Sequence, residues 1–248
     1  MNSILHKLGK VSKKIPFLLK MKPYVLKVYN HLEKNRKKRL IKKSGLKILN
    51  QFDTILTTND ISYSLVFGTL LGAVREKGFI KHDLDIDVAV WSDTDEKKIE
   101  KILTEAGFEL TRRSETDNGE FGREDTYAKE GVQIDIFYFY PYLDRSDNNC
   151  NAYTTVFIPF PDCDSVDESL KVRGGVMPIQ LILPFSRDVE RITFESLSLP
   201  VIKNRIDFLE ARYGKNWRIP DPTFVYPKMG DVRCNYRSDK LTKILVWK

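Results

Sequence analysis

Between residues 84 and 91 the chain alternates: Leu84, Ile86, Val88 and Val90 fall on one face, and Asp85, Asp87 and Ala89 on the other. A period of two marks a half-buried strand. Here the outward face carries two carboxylates side by side. Like charges that close repel unless a cation stands between them. Hard oxygen ligands at this spacing suit Mg²⁺ or Mn²⁺.

The neighbouring segments read as α/β. Ser44 reads as a helix N-cap ahead of Leu46, Leu49, Phe52, Ile55 and Leu56 at helical spacing. Residues 61–67 read as a strand. Gly68-Thr69 then turns into a short helix with Leu70, Leu71 and Val74, which Gly78 breaks. Residues 94–106 form an amphipathic helix ending at Gly107. Strands follow at 108–113 and 126–129, and a turn at Glu130-Gly131 leads into a strong strand at 132–140. Residues 141–178 read as loops around an apolar patch at 156–160, and 192–201 as an extended segment. Ile206, Leu209 and Tyr213 mark a helix that Gly214 stops. Pro220, Pro222 and Pro227 make the tail a surface-hugging extension.

Composition matters chiefly through charge. The net charge of +7 hides an asymmetry: residues 1–45 hold 14 Lys and Arg against one acid, Glu33, and the rest of the chain is net −6. A mildly acidic body is a poor docking surface for phosphates, so no nucleic acid partner is expected. Residues 1–43 form a basic arm with apolar residues (Phe17, Leu18, Leu19, Val25, Leu26) between the lysines. Pro16 and Pro23 interrupt a long helix. The expectation is one or two short amphipathic pieces lying on an anionic membrane surface.

Hydrophobic residues at 42% can fill a sizeable core. No run approaches the roughly 18 apolar residues of a membrane span. The apolar stretch at 15–19 is too short for a secretory signal. Cys150, Cys163 and Cys234 lack CxxC spacing and read as isolated thiols in a reducing cytoplasm. The expected location is therefore cytoplasmic, peripheral on the inner face of the membrane.

Two features strengthen the metal reading. Gly68-Thr69 sits between strand and helix, where backbone N–H groups and a hydroxyl can hold a phosphate. Asp135 is a lone acid in the otherwise uncharged strand 132–140, beside Phe137 and Phe139 on its face, and such a charge must be paired or bind metal. Arg75 could neutralise a diphosphate, or be a solvated helix-end charge. Asp83 is a turn former or an outer acid, and His82 a phosphate contact or a loop residue. For Lys203 and Arg212 the simpler reading is a solvated helix face, and for residues 137–140 it is core.

The order Gly-Thr, Asp-x-Asp, later lone acid resembles the nucleotidyltransferase superfamily typified by DNA polymerase β. In detail, FGTLLGAVREKGFIKHDLDIDVAV, VQIDIFYFYP and RYGKNWRIPDP resemble, in order, three motifs of the LicD/fukutin family over about residues 44–222. Where that family often has a run of acids, this chain has His82-Asp83-Leu84-Asp85-Ile86-Asp87.

The resemblance implies an α/β fold: a nucleotidyltransferase-type mixed sheet with helices and a loop-rich C-terminal extension. The division would be a basic arm (1–43), a catalytic domain (44–222) and the extension (223–248). It implies a phosphotransferase moving phosphocholine, ribitol phosphate or a similar group from a CDP-linked donor to a sugar hydroxyl of a cell-surface glycan. Asp85, Asp87 and Asp135 would be catalytic and hold Mg²⁺ or Mn²⁺. Gly68, Thr69, Arg75, His82 and Asp83 would bind the donor. The alternative keeps the fold and transfers a nucleotide monophosphate to a small molecule, protein or RNA.

Overall fold

The structure, a computed structural model, describes residues 16–143, 151–163, 165–221, 233–236 and 242–246. The first fifteen residues of the arm, Cys150, Pro222 and Pro227 lie outside them.

Helix α1 (Pro16–Leu40) passes through one widened π-turn (Ile41–Gly45) into α2 (Leu46–Thr58). This corrects two expectations. Pro23 does not break the arm, because a proline forfeits one helical hydrogen bond and the flanking turns still make theirs. Pro16 is the first helical residue, where its missing N–H would be unpaired anyway. Ser44 caps nothing, since it lies inside the π-turn. Gly45 lets the widened turn touch the Phe79 ring, to which a Cβ at that position would come within 3.2 Å.

A two-residue strand β1 (Ser64–Leu65), shorter than expected, feeds α3 (Phe67–Arg75). Strand β2 (Ile86–Trp91) starts one residue after Asp85. Helix α4 (Glu96–Glu105) is capped by Asp95, whose side chain accepts from the Lys97 and Lys98 amides. Strands β3 (Glu109–Thr116), β4 (Gly122–Lys129) and β5 (Val132–Pro141) form an antiparallel meander. Glu130 and Gly131 both take positive φ in the tight turn between β4 and β5.

Residues 141–178 are not mainly loop. They contain β6 (Ala152–Ile158), α5 (Val166–Arg173) and the start of β7 (Met177–Leu183). The extended segment at 192–201 belongs to a hairpin, β8 (Val189–Phe194) and β9 (Leu197–Ile202), and α6 (Arg205–Tyr213) ends at Gly214 as read. Strands β10 (Arg233–Tyr236) and β11 (Thr242–Val246) pair with β7 and β3, so part of the extension is built into the sheet.

The main sheet runs β10-β7-β6-β5-β4-β3-β11, with β2 parallel to β5 and β1 antiparallel to β2. The fold is thus α/β with a mixed sheet, as expected. On one face Ile86, Val88 and Val90 lie opposite Ile134, Ile136 and Tyr138, all buried in a core shared with Leu49 and Phe52 of α2 and Ile99 and Leu103 of α4. On the other face an aromatic cluster closes the sheet beyond Asp135. Phe137 meets Phe67 edge-on at 4.8 Å, and Phe139 stacks on Phe185 at 3.9 Å. Residues 137–140 are core, as read. Cys163 is a buried free thiol.

Candidate functional site

The acids meet at the end of this second face. Asp87 on β2 and Asp135 on β5 are direct partners across parallel strands. Asp85 precedes β2 and is not on a regular strand, yet it remains close enough to both for mutual repulsion.

Asp87 is fastened to the start of α3 by three bonds. Its Oδ2 accepts from the Gly68 amide at 3.1 Å, and its own amide donates to Thr69 Oγ1 at 2.9 Å. Its carbonyl accepts from the Val66 amide at 3.1 Å. Reaching this geometry forces Phe67 to φ 44°, in the left-handed region that costs a bulky residue energy. Gly68 leaves room for the acids: a Cβ there would lie 3.2 Å from Asp83 Oδ1, slightly too close, and 3.4 Å from Asp87 Oδ2. Thr69 is fully buried and its hydroxyl oxygen receives the Asp87 amide. Its place is therefore behind the acids, holding β2.

Asp83 is buried, and its Oδ2 accepts from the Ile80 amide at 2.8 Å, so it forms the turn and also faces the acids. Burial raises its carboxyl to about 7; Asp85 adds to the rise, while the Ile80 amide and Arg75 oppose it. Burial, then Asp135, raises Asp85 to about 6 against the pull of Lys37 and Arg112. Asp87 is pushed well above the usual carboxylate range by burial, then by Asp85, Asp135 and Asp83. Negative charge thus exceeds what the protein neutralises.

This donor set fits a hard divalent cation. Among the described residues, no three or more His, Cys, Asp or Glu side chains are grouped so that together they could hold a metal ion. Mg²⁺ is commonly held by one or two carboxylates, with water and substrate oxygens in its remaining positions.

The structure adds residues that sequence reasoning missed. Arg112, Thr126, Asp135 and Asp87 are consecutive partners across β3, β4, β5 and β2. Thr126 Oγ1 donates to Asp135 Oδ1. Arg112 bonds Glu124 at 2.5 Å and acts on Asp135 and Asp85. A bulge between Leu110 and Arg112 brings Arg112 onto this row. Lys37, from α1, is the other cation acting on Asp85.

The remaining candidates are distributed unevenly. Arg75 donates to the Trp217 carbonyl at 3.3 Å and to Glu76 at 2.9 Å, tying α3 to the C-terminal motif. His82 is exposed beside Asp83. Lys203 is exposed, as read, but sits in the turn ahead of α6 rather than on a helix face, and pairs with Asp188. Arg212 is not on a solvated face. It is buried, its guanidinium 5.8 Å from the Phe67 ring and 5.2 Å from the Tyr213 ring, because α6 packs its end against α3. Burial lifts the Tyr213 hydroxyl against the pull of Arg212, and Asp87 and Asp83 add to the rise. From the sequence, Tyr213 reads only as an apolar marker of this helix and Arg212 as part of its solvated face.

Residues 60–164 match the family model described as LicD/FKTN/FKRP, nucleotidyltransferase domain. That span contains Gly68, Asp83, Asp85, Asp87 and Asp135. Ribitol-5-phosphate transferase FKTN of Mus musculus is 26% identical over 170 residues, which is 66% of this chain and 31% of that protein. Lipopolysaccharide cholinephosphotransferase LicD of Haemophilus influenzae is 52% identical over 48 residues, 19% of this chain and 18% of that protein. The chain thus spans about a third or less of the length of these relatives.

Proposed function

We propose that this chain, with a LicD/FKTN/FKRP nucleotidyltransferase domain at residues 60–164, is a phosphotransferase that moves a phosphorylated alcohol from a CDP-linked donor to a sugar hydroxyl of a glycan. The observation that carries this reading is the pairing of Asp87 with Asp135 across parallel strands, with Asp85 beside them and Asp87 held by the Gly68 amide. The relatives' names, a ribitol-phosphate and a choline-phosphate transferase, support the kind of group moved.

In this reading the acceptor oxygen attacks the phosphorus distal to cytidine. A new P–O bond forms, the bond to the cytidine-bearing phosphate breaks, and CMP leaves. Asp85 and Asp87, with Asp135, would hold Mg²⁺ or Mn²⁺, which when bound supplies charge neutralisation for the diphosphate. Asp135, aligned by Thr126, accepts the proton of the attacking hydroxyl. Arg112 and Lys37 add positive charge beside the phosphates, and Arg75 braces α3 against the Trp217 segment. Thr69 and Gly68 fix the position of Asp87.

The test is product analysis. The protein is incubated with CDP-choline, CDP-ribitol or CDP-glycerol, Mg²⁺ and a glycan acceptor, and CMP is measured with and without EDTA. Metal-dependent CMP release with labelled glycan is expected. Release of pyrophosphate from a nucleoside triphosphate, with no CMP from any CDP-alcohol, would move the assignment to nucleotidyl transfer.

A further inference from the structure

Helix α1 has two faces of different character. Tyr24, Val28 and Leu32 recur every four residues, so they form one stripe along the helix. They are 74%, 58% and 59% exposed. Exposed cations accompany the stripe: Arg36 and Arg39 beside it, Lys34 further round the helix, and Lys42 and Lys43 beyond the helix end. Glu33 is the lone acid of this region and pairs with Arg36 at 3.0 Å.

At its C-terminal end the helix meets the body. Leu40 packs on the core and reaches the β4–β5 turn at Gly131. Lys37 is half-buried and close enough to Asp85 to oppose the rise of its carboxyl. At 3.6 residues per turn Lys37 stands half a turn round the helix from Val28. The apolar stripe therefore lies on the side away from Lys37, on a helix held to the body at its Leu40 end.

We propose that α1 is a membrane-docking helix, laying the Tyr24–Val28–Leu32 stripe into the headgroup region of an anionic bilayer with its cations on the lipid phosphates. Charge selects this occupant. A second copy would bring an equally cationic helix against the first. A nucleic acid would match the cations but leave three exposed apolar residues with nothing to bury them. The helix lies on the surface and does not cross it: among the described residues no helix is long and apolar enough to span a membrane. Because Lys37 is on the back of the docked face, the acids would stand about one helix diameter, roughly 10 Å, from the headgroups. This docking does not depend on the reaction proposed above.

The full chain is sedimented with phosphatidylcholine vesicles, with and without phosphatidylglycerol, at low and high salt. Binding at least about tenfold stronger to the anionic vesicles, weakened by salt, is expected. Val28→Ser/Leu32→Ser keeps every charge and should lose most of that binding. Unchanged melting of this variant would show the fold intact, as both sites are exposed. Equal binding by the variant and the wild type, or equal binding to neutral and anionic vesicles, would overturn the proposal. So would tighter binding to an oligonucleotide than to anionic vesicles that the variant retains, since that marks the cations as a nucleic acid surface.

Discussion

Strands β3 and β4 carry charged residues on both faces, and the two faces solve the problem of buried charge differently. On one, Asp125 is fully buried but doubly bonded to Arg113 at 2.8 and 2.9 Å, with the Tyr138 hydroxyl donating at 3.2 Å. Glu100 adds a second carboxylate to Arg113, and Arg123 holds Glu96 and Glu115. Each acid there has a cation of the same chain.

On the other face lie Asp83, Asp85, Asp87, Asp135 and Glu124, with Arg112 acting on Glu124, Asp135 and Asp85, Lys37 on Asp85 and Arg75 on Asp83. Burial pushes Glu124 up to about 7 even with Arg112 bonded to it, and Asp135 adds to the rise. A balanced buried network holds a sheet together, whereas an unbalanced one stores repulsion that a ligand can relieve. That contrast is the strongest physical reason for placing the chemistry on the second face.

Substitution should separate the faces most sharply. Asp87→Asn or Asp135→Asn should cut CMP release by about 10³-fold while leaving the melting temperature unchanged or raised, because a repelling charge is removed. Asp125→Asn should instead spare turnover and cost about 1–3 kcal/mol of stability, because Arg113 keeps only Glu100 as an anionic partner. Thermal melting beside a turnover assay decides it, and a destabilised Asp87→Asn with an unaffected Asp125→Asn would break the contrast.

The pH dependence of the metal-free protein is the next largest effect. Asp83 and Asp85 sit at about 7 and 6, above the ordinary carboxylate, so the folded chain holds these protons more tightly than the unfolded one. Their contribution is complete below about pH 4 and is lost as pH rises through 6 to 7. Stability should therefore fall by about 1–3 kcal/mol between pH 5 and 8, and Asp83→Asn should flatten the curve. Mg²⁺ should reverse the trend, stabilising most above pH 7 and losing affinity as protons compete below about 6. Melting curves with and without Mg²⁺ across this range would expose a flat or opposite slope.

Arg112→Gln tests whether the cation on the acid row serves the donor or only the acids. Loss of the guanidinium should raise the donor KM by about tenfold while tightening Mg²⁺ a few-fold, since the acids become less neutralised. Titrations of donor and metal measured separately would show a structural role if both weaken together. The smallest effect belongs to Gly68→Ala. Its Cβ would crowd Asp83 and Asp87 by a few tenths of an ångström, and a few-fold loss in turnover with little change in melting is expected.

Much of the site was legible along the chain because it rests on alternation. Asp87 and Asp135 stand out as charges in apolar strands, and a period of two says which neighbours share their face. Residues 152–158 and 177–183 were harder. Their strands pair with each other across α5, and short apolar runs among Pro, Asn and Asp look like loop until a partner supplies the hydrogen bonds. Pro23 misled for the opposite reason: a local rule about proline was outweighed by the rest of a long helix.

The chain alone determined which chemistry was available: a Gly-Thr turn, spaced acids on strands, and an arm whose cations interleave with apolar residues. These are local facts, set by residue type and period. Only the tertiary structure decided which charges face one another. Arg112 and Arg113 are adjacent and chemically alike, yet one lies beside the acid site and the other in a buried structural pair. The bulge between Leu110 and Arg112 shifts the register by one residue, and in a strand a shift of one exchanges the faces.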